Sequence, residues 1–261
     1  MKTFILTVFS CFCLFQGQGF IVGQDINKNS PKRNELVILT YNVHRCEGLD
    51  GEIDYQRISD IINRIDPQIA ALQELDSVTL RSGGHIDLEE LASRTNMYAI
   101  YGPFFTFEGG KYGVGILSKK KPIKWESVPI PGRIENRILI AEFKKYILCC
   151  THLSGKEEAK LKAIAILNDH FKKVTKPVFF AGDLNSRPGS NVINSIETKW
   201  TMLNDPTVTT GSSDRLQNCI DHIFVLNDKS HSYSVVQRAV EKEPIASDHF
   251  PSWVKVAIKK K

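Results

Sequence analysis

Six places in this chain put a polar group at the end of an apolar stretch or inside one. They are Asn42, Glu74, His152, Asp183 with Asn185, Asp221, and Asp248 with His249. A carboxylate among apolar residues is costly unless something partners it, so their common placement points to one shared site. The residue types suggest the chemistry. Glu74 and Asp248 offer oxygen ligands of the kind that suit a hard divalent cation such as magnesium, calcium or manganese. Asn42 and Asn185 are neutral and can touch a phosphate without adding repulsion. His152 and His249 can donate hydrogen bonds to phosphoryl oxygens or exchange protons near neutral pH. Asp221 can fix the tautomer of a histidine.

The densest of these places is Lys176–Ser190, KPVFFAGDLNSRPGS. Its apolar run from Pro177 to Ala181 leads straight into Asp183 and Asn185, spaced i and i+2 so that both can face one way on extended backbone. Such a pair can orient a nucleophilic water and hold a phosphoryl oxygen. Asp-x-Asn is also ordinary Asx-turn chemistry, and that plainer reading stands beside the first. Arg81 and Arg187 lie near these residues in sequence and can clamp a phosphate, although surface arginines are common. His222, next to Asp221 in a strand, alternates to the opposite face and reads as structural. Lys119–Lys121 reads as a solvated face beside a turn.

The elements that must position these groups follow from the hydrophobic pattern. Leu36–Tyr41 and Ile69–Leu72 read as buried strands ending at Asn42 and at Gln73-Glu74. Between them Tyr55–Ile65 is a helix, with Asp54 as its N-cap and Asp66-Pro67 as its stop. The same pattern then returns. Tyr146–Cys150 is a strand leading to His152, Glu157–Phe171 a helix with the stripe Leu161, Ile164, Ala165 and Leu167, and Pro177–Ala181 a strand leading to Asp183. Glu74 lies 32 residues after Asn42, and Asp183 lies 31 after His152. That is an internal duplication of a supersecondary unit. Two similar sheets packed face to face, each covered outside by helices, would bring both sets of strand ends to one edge. A short helix at Leu88–Arg94 and further strands at Tyr112–Ser118, Ile123–Ile130, Arg137–Phe143, Cys219–Val225 and Phe250–Ile258 complete the expectation. The glycines of Tyr112–Ser118 predict a bulge or a close backbone approach.

Composition sets bounds on this reading. The chain has 261 residues, 42% hydrophobic and 24% charged, with a net charge of +5, which is ordinary for a globular protein and excludes a disordered one. The mild basicity suits a polyanionic substrate without requiring it. After the N-terminus there is no apolar stretch long enough to span a membrane. The N-terminus itself has the layout of a secretory signal peptide: Met1-Lys2, then the apolar run Phe4–Phe15, then Gly17-Gln18-Gly19. The expectation is therefore a signal peptide over 1–20, a polar linker over 21–34 and one domain over 35–261, exported to the periplasm or the outside. Val8–Cys11 resembles a lipid-attachment sequence, but the apolar run before it is short. Cys46, Cys149, Cys150 and Cys219 lack metal-type spacing, and Cys149 and Cys150 alternate faces of one strand, which disfavours a bond between them.

Taken in order, TYNVH at 40–44, LQE at 72–74, THL at 151–153, GDLN at 182–185, IDH at 220–222 and SDH at 247–249 resemble the endonuclease/exonuclease/phosphatase superfamily, which includes deoxyribonuclease I, neutral sphingomyelinases and inositol polyphosphate phosphatases. The resemblance covers about residues 35–258. It implies an α/β (α+β) fold, a four-layer αββα sandwich of two mixed, mainly antiparallel sheets. It also implies a site for Mg2+ or Mn2+ and hydrolysis of a P–O bond by in-line attack of water. By resemblance, Glu74 is the principal metal ligand with Asn42 and Asp248 beside it. Asp183 and Asn185 orient water and phosphate, Asp221 pairs with His249, and His152 matches a second histidine of the deoxyribonuclease-like members. The expected protein is a monomeric phosphodiesterase such as an endonuclease. The alternatives are a lipid or sugar-phosphate hydrolase and a non-catalytic binding module on the same fold. A long aromatic hairpin of the membrane-acting kind is missing, as is a dense basic stretch interleaved with aromatics.

Overall fold

The computed structural model describes residues 34–132, 135–211 and 218–261. The expected signal peptide over 1–20 and all of the expected linker before residue 34 lie outside the described residues. Within them the chain runs β1 (Glu35–Asn42), α1 (Tyr55–Ile65), β2 (Ile69–Ser77), α2 (Asp87–Thr95), β3 (Tyr98–Phe107), β4 (Gly110–Ser118), β5 (Lys124–Ile130) and β6 (Asn136–Glu142). It continues through β7 (Ile147–His152), α3 (Glu157–His170), β8 (Val178–Asp183), α4 (Asn191–Glu197), β9 (Trp200–Met202), β10 (Asp221–Leu226), β11 (His231–Val240) and β12 (Ser252–Lys260).

Two six-stranded sheets result, in the orders β11-β12-β1-β2-β4-β3 and β5-β6-β7-β8-β10-β9. Each contains one parallel pair, β1 with β2 and β7 with β8, and the other pairings are antiparallel. The parallel pairs are the two halves of the duplication. Parallel strands bring their C-terminal ends side by side: Asn42 faces Gln73 in one sheet and His152 faces Asp183 in the other.

Three apolar layers hold the sandwich. Between the sheets, Ile38, Ile69 and Val254 meet Leu148, Phe179 and Ile223. On one outer face Ile58, Ile62, Leu88 and Leu91 of α1 and α2 pack on Leu39 and Leu72. On the other, Ile164, Leu167, Ile193 and Ile196 of α3 and α4 pack on Phe180 and Phe224. Each fully buried side chain of this size contributes about 1.5–3 kcal/mol. Cys149 belongs to the α3 layer and Cys150 to the layer between the sheets, the expected alternation, and the four described cysteines are free thiols.

The helix starts follow local chemistry. The Asp54 carboxylate accepts the Arg57 N–H at 2.9 Å, the predicted N-cap of α1, in an interaction worth about 1 kcal/mol. In α3 the buried stripe is Lys160, Ala163, Ile164 and Leu167, whereas Ala165 is exposed. The expected stripe is therefore rotated, and a lysine occupies an inward position.

Four elements escape the hydrophobic pattern. β3 (YAIYGPFFTF) carries Gly102 and Pro103, yet it is an edge strand with a register shift at Pro103/Phe105, where a proline is tolerated. β11 is the opposite edge and mostly exposed, so its alternation is weak. α4 and β9 are short. The glycines of β4 do mark a close approach, since a Cβ at Gly113 would lie 2.3 Å from the Gly102 carbonyl oxygen.

Candidate active site

β2 does not stop at Leu72. It passes through a bulge, with its register against β4 shifting between Leu72 and Leu75, and continues to Ser77. Glu74 sits in that bulge with φ 60, a left-handed conformation that costs a non-glycine residue about 1 kcal/mol or more. Bulges re-aim side chains. Here the result is a carboxylate only 23% exposed that reaches the strand-end edge instead of the core.

Asn42, at the end of β1, joins the two sheets. Its Nδ2 donates to Glu74 Oε1 at 2.9 Å and to Asp183 Oδ2 at 3.2 Å, while its Oδ1 accepts the His44 N–H at 3.1 Å. One amide thus links a carboxylate from each half of the duplication.

Asp183 ends β8 almost fully buried. The preceding Gly182 is required, because a Cβ there would meet the Thr151 carbonyl oxygen at 2.1 Å. Asp183 Oδ1 accepts the Asn185 N–H at 2.8 Å, an Asx-turn that holds Asn185 at φ 46. The plain turn and the functional placement are therefore the same structure. From that turn Asn185 Nδ2 donates to the Leu153 carbonyl at 3.1 Å and to His152 Nε2 at 3.0 Å. His152 stands between the acids, its Nε2 3.4 Å from Asp183 Oδ2 and its Nδ1 3.9 Å from Glu74 Oε1.

His249 and Asp221 close the far side. His249 Nδ1 donates to Asp221 Oδ2 at 2.8 Å, and its Nε2 lies 3.8 Å from Asp183 Oδ2. Ligand atoms of Asp183, Asp221 and His249 all fall within 4.8 Å of one another. Burial alone would pull His249 down, but the adjoining Asp221 carboxylate, with Asp183 and Asp248 behind it, raises it to about 10. Burial pushes the Asp221 carboxyl up in the same pocket, so the pair competes for one proton. The short Nδ1–Oδ2 contact holds that proton between them.

Asp248 is tied to the same edge through its neighbour. The Ser247 hydroxyl donates to the Asn42 carbonyl at 2.7 Å, and Asp248 Oδ1 is 3.5 Å from that hydroxyl. Among the described residues no hydrogen bond joins Asp248 to Glu74 or Asn42. Arg81 is engaged elsewhere: Nε and Nη2 grip buried Asp76 at 2.6 and 2.9 Å, and the guanidinium lies 4.5 Å from the Phe107 ring centre. Arg187 is exposed and lines a cavity of ≈ 340 Å³ together with Asn185, Ser186 and Asn218. His222 is buried behind the site, where loss of solvent lowers it to about 4. Its Nε2 faces the Ser186 carbonyl at 2.9 Å, so that nitrogen carries the proton of a neutral ring.

Two contributors gave little sign in the sequence. Ser247 is a small residue in a motif dominated by its neighbours. Lys160 is one of two lysines on α3, distinguished from Lys162 only by its inward position.

The donor set fits a divalent cation. Glu74 and Asp183 are drawn to one amide at hydrogen-bond distance, a juxtaposition of like charges that a cation would offset, and their oxygens suit a hard ion. The result is a two-sheet sandwich with acids, amides and imidazoles gathered on one edge. The chain belongs to the Endonuclease/Exonuclease/phosphatase family, whose model matches residues 39–249. Among solved structures it resembles an endonuclease/exonuclease/phosphatase from Beutenbergia cavernae, with TM-score 0.70, 20% identity, and coverage of 87% of this chain and 72% of that one. It also resembles the human Nocturnin catalytic domain, with TM-score 0.65, 14% identity, and coverage of 88% and 97%. A third is the mannosyl-6-phosphatase Bt3783 of Bacteroides thetaiotaomicron, with TM-score 0.65, 16% identity, and coverage of 85% and 99%. No curated protein sequence matches the chain. At these identities the likeness establishes the fold.

Proposed function

We propose that this protein is an exported, divalent-metal-dependent phosphoesterase, and within that class a phosphodiesterase such as an endonuclease. One observation carries the reading: the Asn42 amide ties Glu74 to Asp183 in the contact shell of two histidines. Glu74, Asn42 and Asp248 would hold Mg2+ or Mn2+. When bound, such an ion polarises the P–O bond and offsets the carboxylate charge.

The chain's own groups supply the rest. Asp183 and Asn185 orient the attacking water and one phosphate oxygen. Water forms the new O–P bond in line with the bond that breaks and releases a proton to solvent, while the leaving oxygen departs with its electron pair and takes up a proton from solvent. His152 and His249 donate N–H groups to non-bridging oxygens as negative charge grows there. Asp221 holds the Nδ1 proton of His249, which leaves Nε2 for the substrate. Arg187, two residues from Asn185 and exposed, would meet a flanking phosphate, whereas Arg81 is held by Asp76.

Export rests on the pattern of residues 1–20. No helix among the described residues is long and apolar enough to cross a membrane. The test of function is a screen with magnesium and manganese over plasmid DNA, RNA, sphingomyelin, inositol phosphates and bis-p-nitrophenyl phosphate. Hydrolysis of none of them would defeat the reading. If DNA is cut, binding should fall steeply with salt, by a factor of about 10 or more between 50 and 200 mM, because phosphate contacts release counterions. Affinity unchanged over that range would favour the lipid or sugar-phosphate alternative.

A further inference from the structure

Lys160 is 7% exposed, on the face of α3 that otherwise packs against the second sheet. Burying an ammonium is expensive unless each of its N–H groups is taken. Here Nζ lies 2.6 Å from the Asn185 carbonyl, 3.2 Å from the Leu184 carbonyl and 3.3 Å from Ser186 Oγ. Three donors meet three acceptors, and all three acceptors belong to the turn that carries the Asp183–Asn185 pair.

That turn needs holding. Asn185 is at φ 46, and its side chain must stay against His152 and the Leu153 carbonyl. Asp183 Oδ1 grips the turn by its N–H from in front. Neutral His222 grips the Ser186 carbonyl from behind. Lys160 Nζ holds the Asn185 carbonyl at 2.6 Å. With the carbonyl fixed on one side and the N–H on the other, the peptide planes flanking Asn185 have little freedom to rotate.

We infer that Lys160 is a positioning residue for catalysis: it locks the Leu184–Ser186 turn so that Asn185 meets the phosphate and His152 in register. It does not touch the substrate. This rests on the phosphoester-hydrolysis reading, since only there does Asn185 contact a reacting group.

The test uses Lys160→Met, which keeps the stem and removes the donors, and Lys160→Gln, which replaces the ammonium by an uncharged amide N–H donor. With bis-p-nitrophenyl phosphate as the probe, Lys160→Met should lower kcat by about 10- to 100-fold with KM within about threefold, because a small misplacement of a contact group costs that much. Lys160→Gln should fall between it and wild type. Amide exchange should quicken at Leu184 and Asn185, whose N–H groups are hydrogen-bonded in the turn, while Ile223 and Val225 of β10 keep their protection. A kcat within about twofold of wild type, a change in KM alone, or a uniform loss of protection would overturn the inference. If neither variant folds, Lys160 is a stability residue and the inference falls as well. Should wild type cleave no phosphoester, the functional reading fails, and the exchange pattern alone decides whether Lys160 locks the turn.

Discussion

The two β–α–β units share one plan and deliver different goods. The first presents Glu74 from a bulge, 23% exposed, with the peptide forced left-handed so that the carboxylate reaches the edge. The second presents Asp183 from a regular strand end, nearly fully buried and gripped by the turn that follows it. An accessible carboxylate can take a metal with little effect on the fold. A buried one, hydrogen-bonded on every side, belongs to the fold as much as to the site. Duplicating a unit therefore sets where two acids stand, and burial then sets what each can do.

The largest expected effect tests whether the second unit acts alone or with its added strands. Asp221 and His249, from β10 and from the segment just before β12, stand 2.8 Å apart and face Asp183. Asp221→Ala and His249→Ala should each lower the rate by about 10²–10⁴, the range for positioned acid–base groups. The double variant should be scarcely worse than the poorer single one, because groups that act as a unit leave little for the second removal to damage. Rates measured at saturating metal, on variants confirmed to be folded, decide it. If the losses multiply, the two residues work independently.

Next, the units should part in how they fail. Glu74→Gln should lose at least about 10² in activity, as expected for removing a metal ligand, while its melting temperature stays close to that of wild type. Asp183→Asn should lose comparable activity and melt several degrees lower, since an amide Nδ2 would face the donors that the carboxylate now accepts. Calorimetry beside the activity assay reads both. Equal melting temperatures for the two variants would break the contrast. Excess chelator should abolish activity reversibly, and full activity in its presence would remove the metal from the scheme.

The smallest effect on activity, one felt by stability alone, lies behind the first unit. Asp87, fully buried, accepts the Asp76 N–H at 2.7 Å and the Tyr55 hydroxyl at 2.9 Å. Burial, the largest influence, pushes its carboxyl up to about 7 against those two hydrogen bonds. A folded pKa above the unfolded one means that the unfolded state ionises first. Asp87 should therefore remove stability as pH rises from about 4 to about 7, by on the order of a few kcal/mol, and not beyond. Asp87→Asn should flatten that part of the curve in urea titrations at successive pH values. An identical pH slope in the variant would assign the dependence to other groups.

Much of the frame was legible because hydrophobic periodicity is local. The strands around Ile38, Leu72, Leu148 and Phe180, the helix at 55–65 with its Asp54 cap, and the repeat that pairs Asn42 with Glu74 and His152 with Asp183 all follow from residue order. The convergence of Asn42, Glu74, His152, Asp183 and Asp221 on one edge was legible too, since each ends or interrupts an apolar run. The edge strands β3 and β11 were not, because a strand exposed on one side carries little pattern.

Only the tertiary structure decided the rest. It put Glu74 in a bulge that β4 imposes on β2, engaged Arg81 with Asp76, and drew Ser247 onto the end of β1. It also turned the stripe of α3 so that Lys160, outside the expected stripe, became the cation under the Asp183–Asn185 turn. The physical reason is common to all of these but the Arg81–Asp76 pair, which is only five residues apart in sequence. A polar side chain inside a protein takes its role from the partner that repays its desolvation, and such partners lie on other elements, at sequence distances that no local pattern encodes.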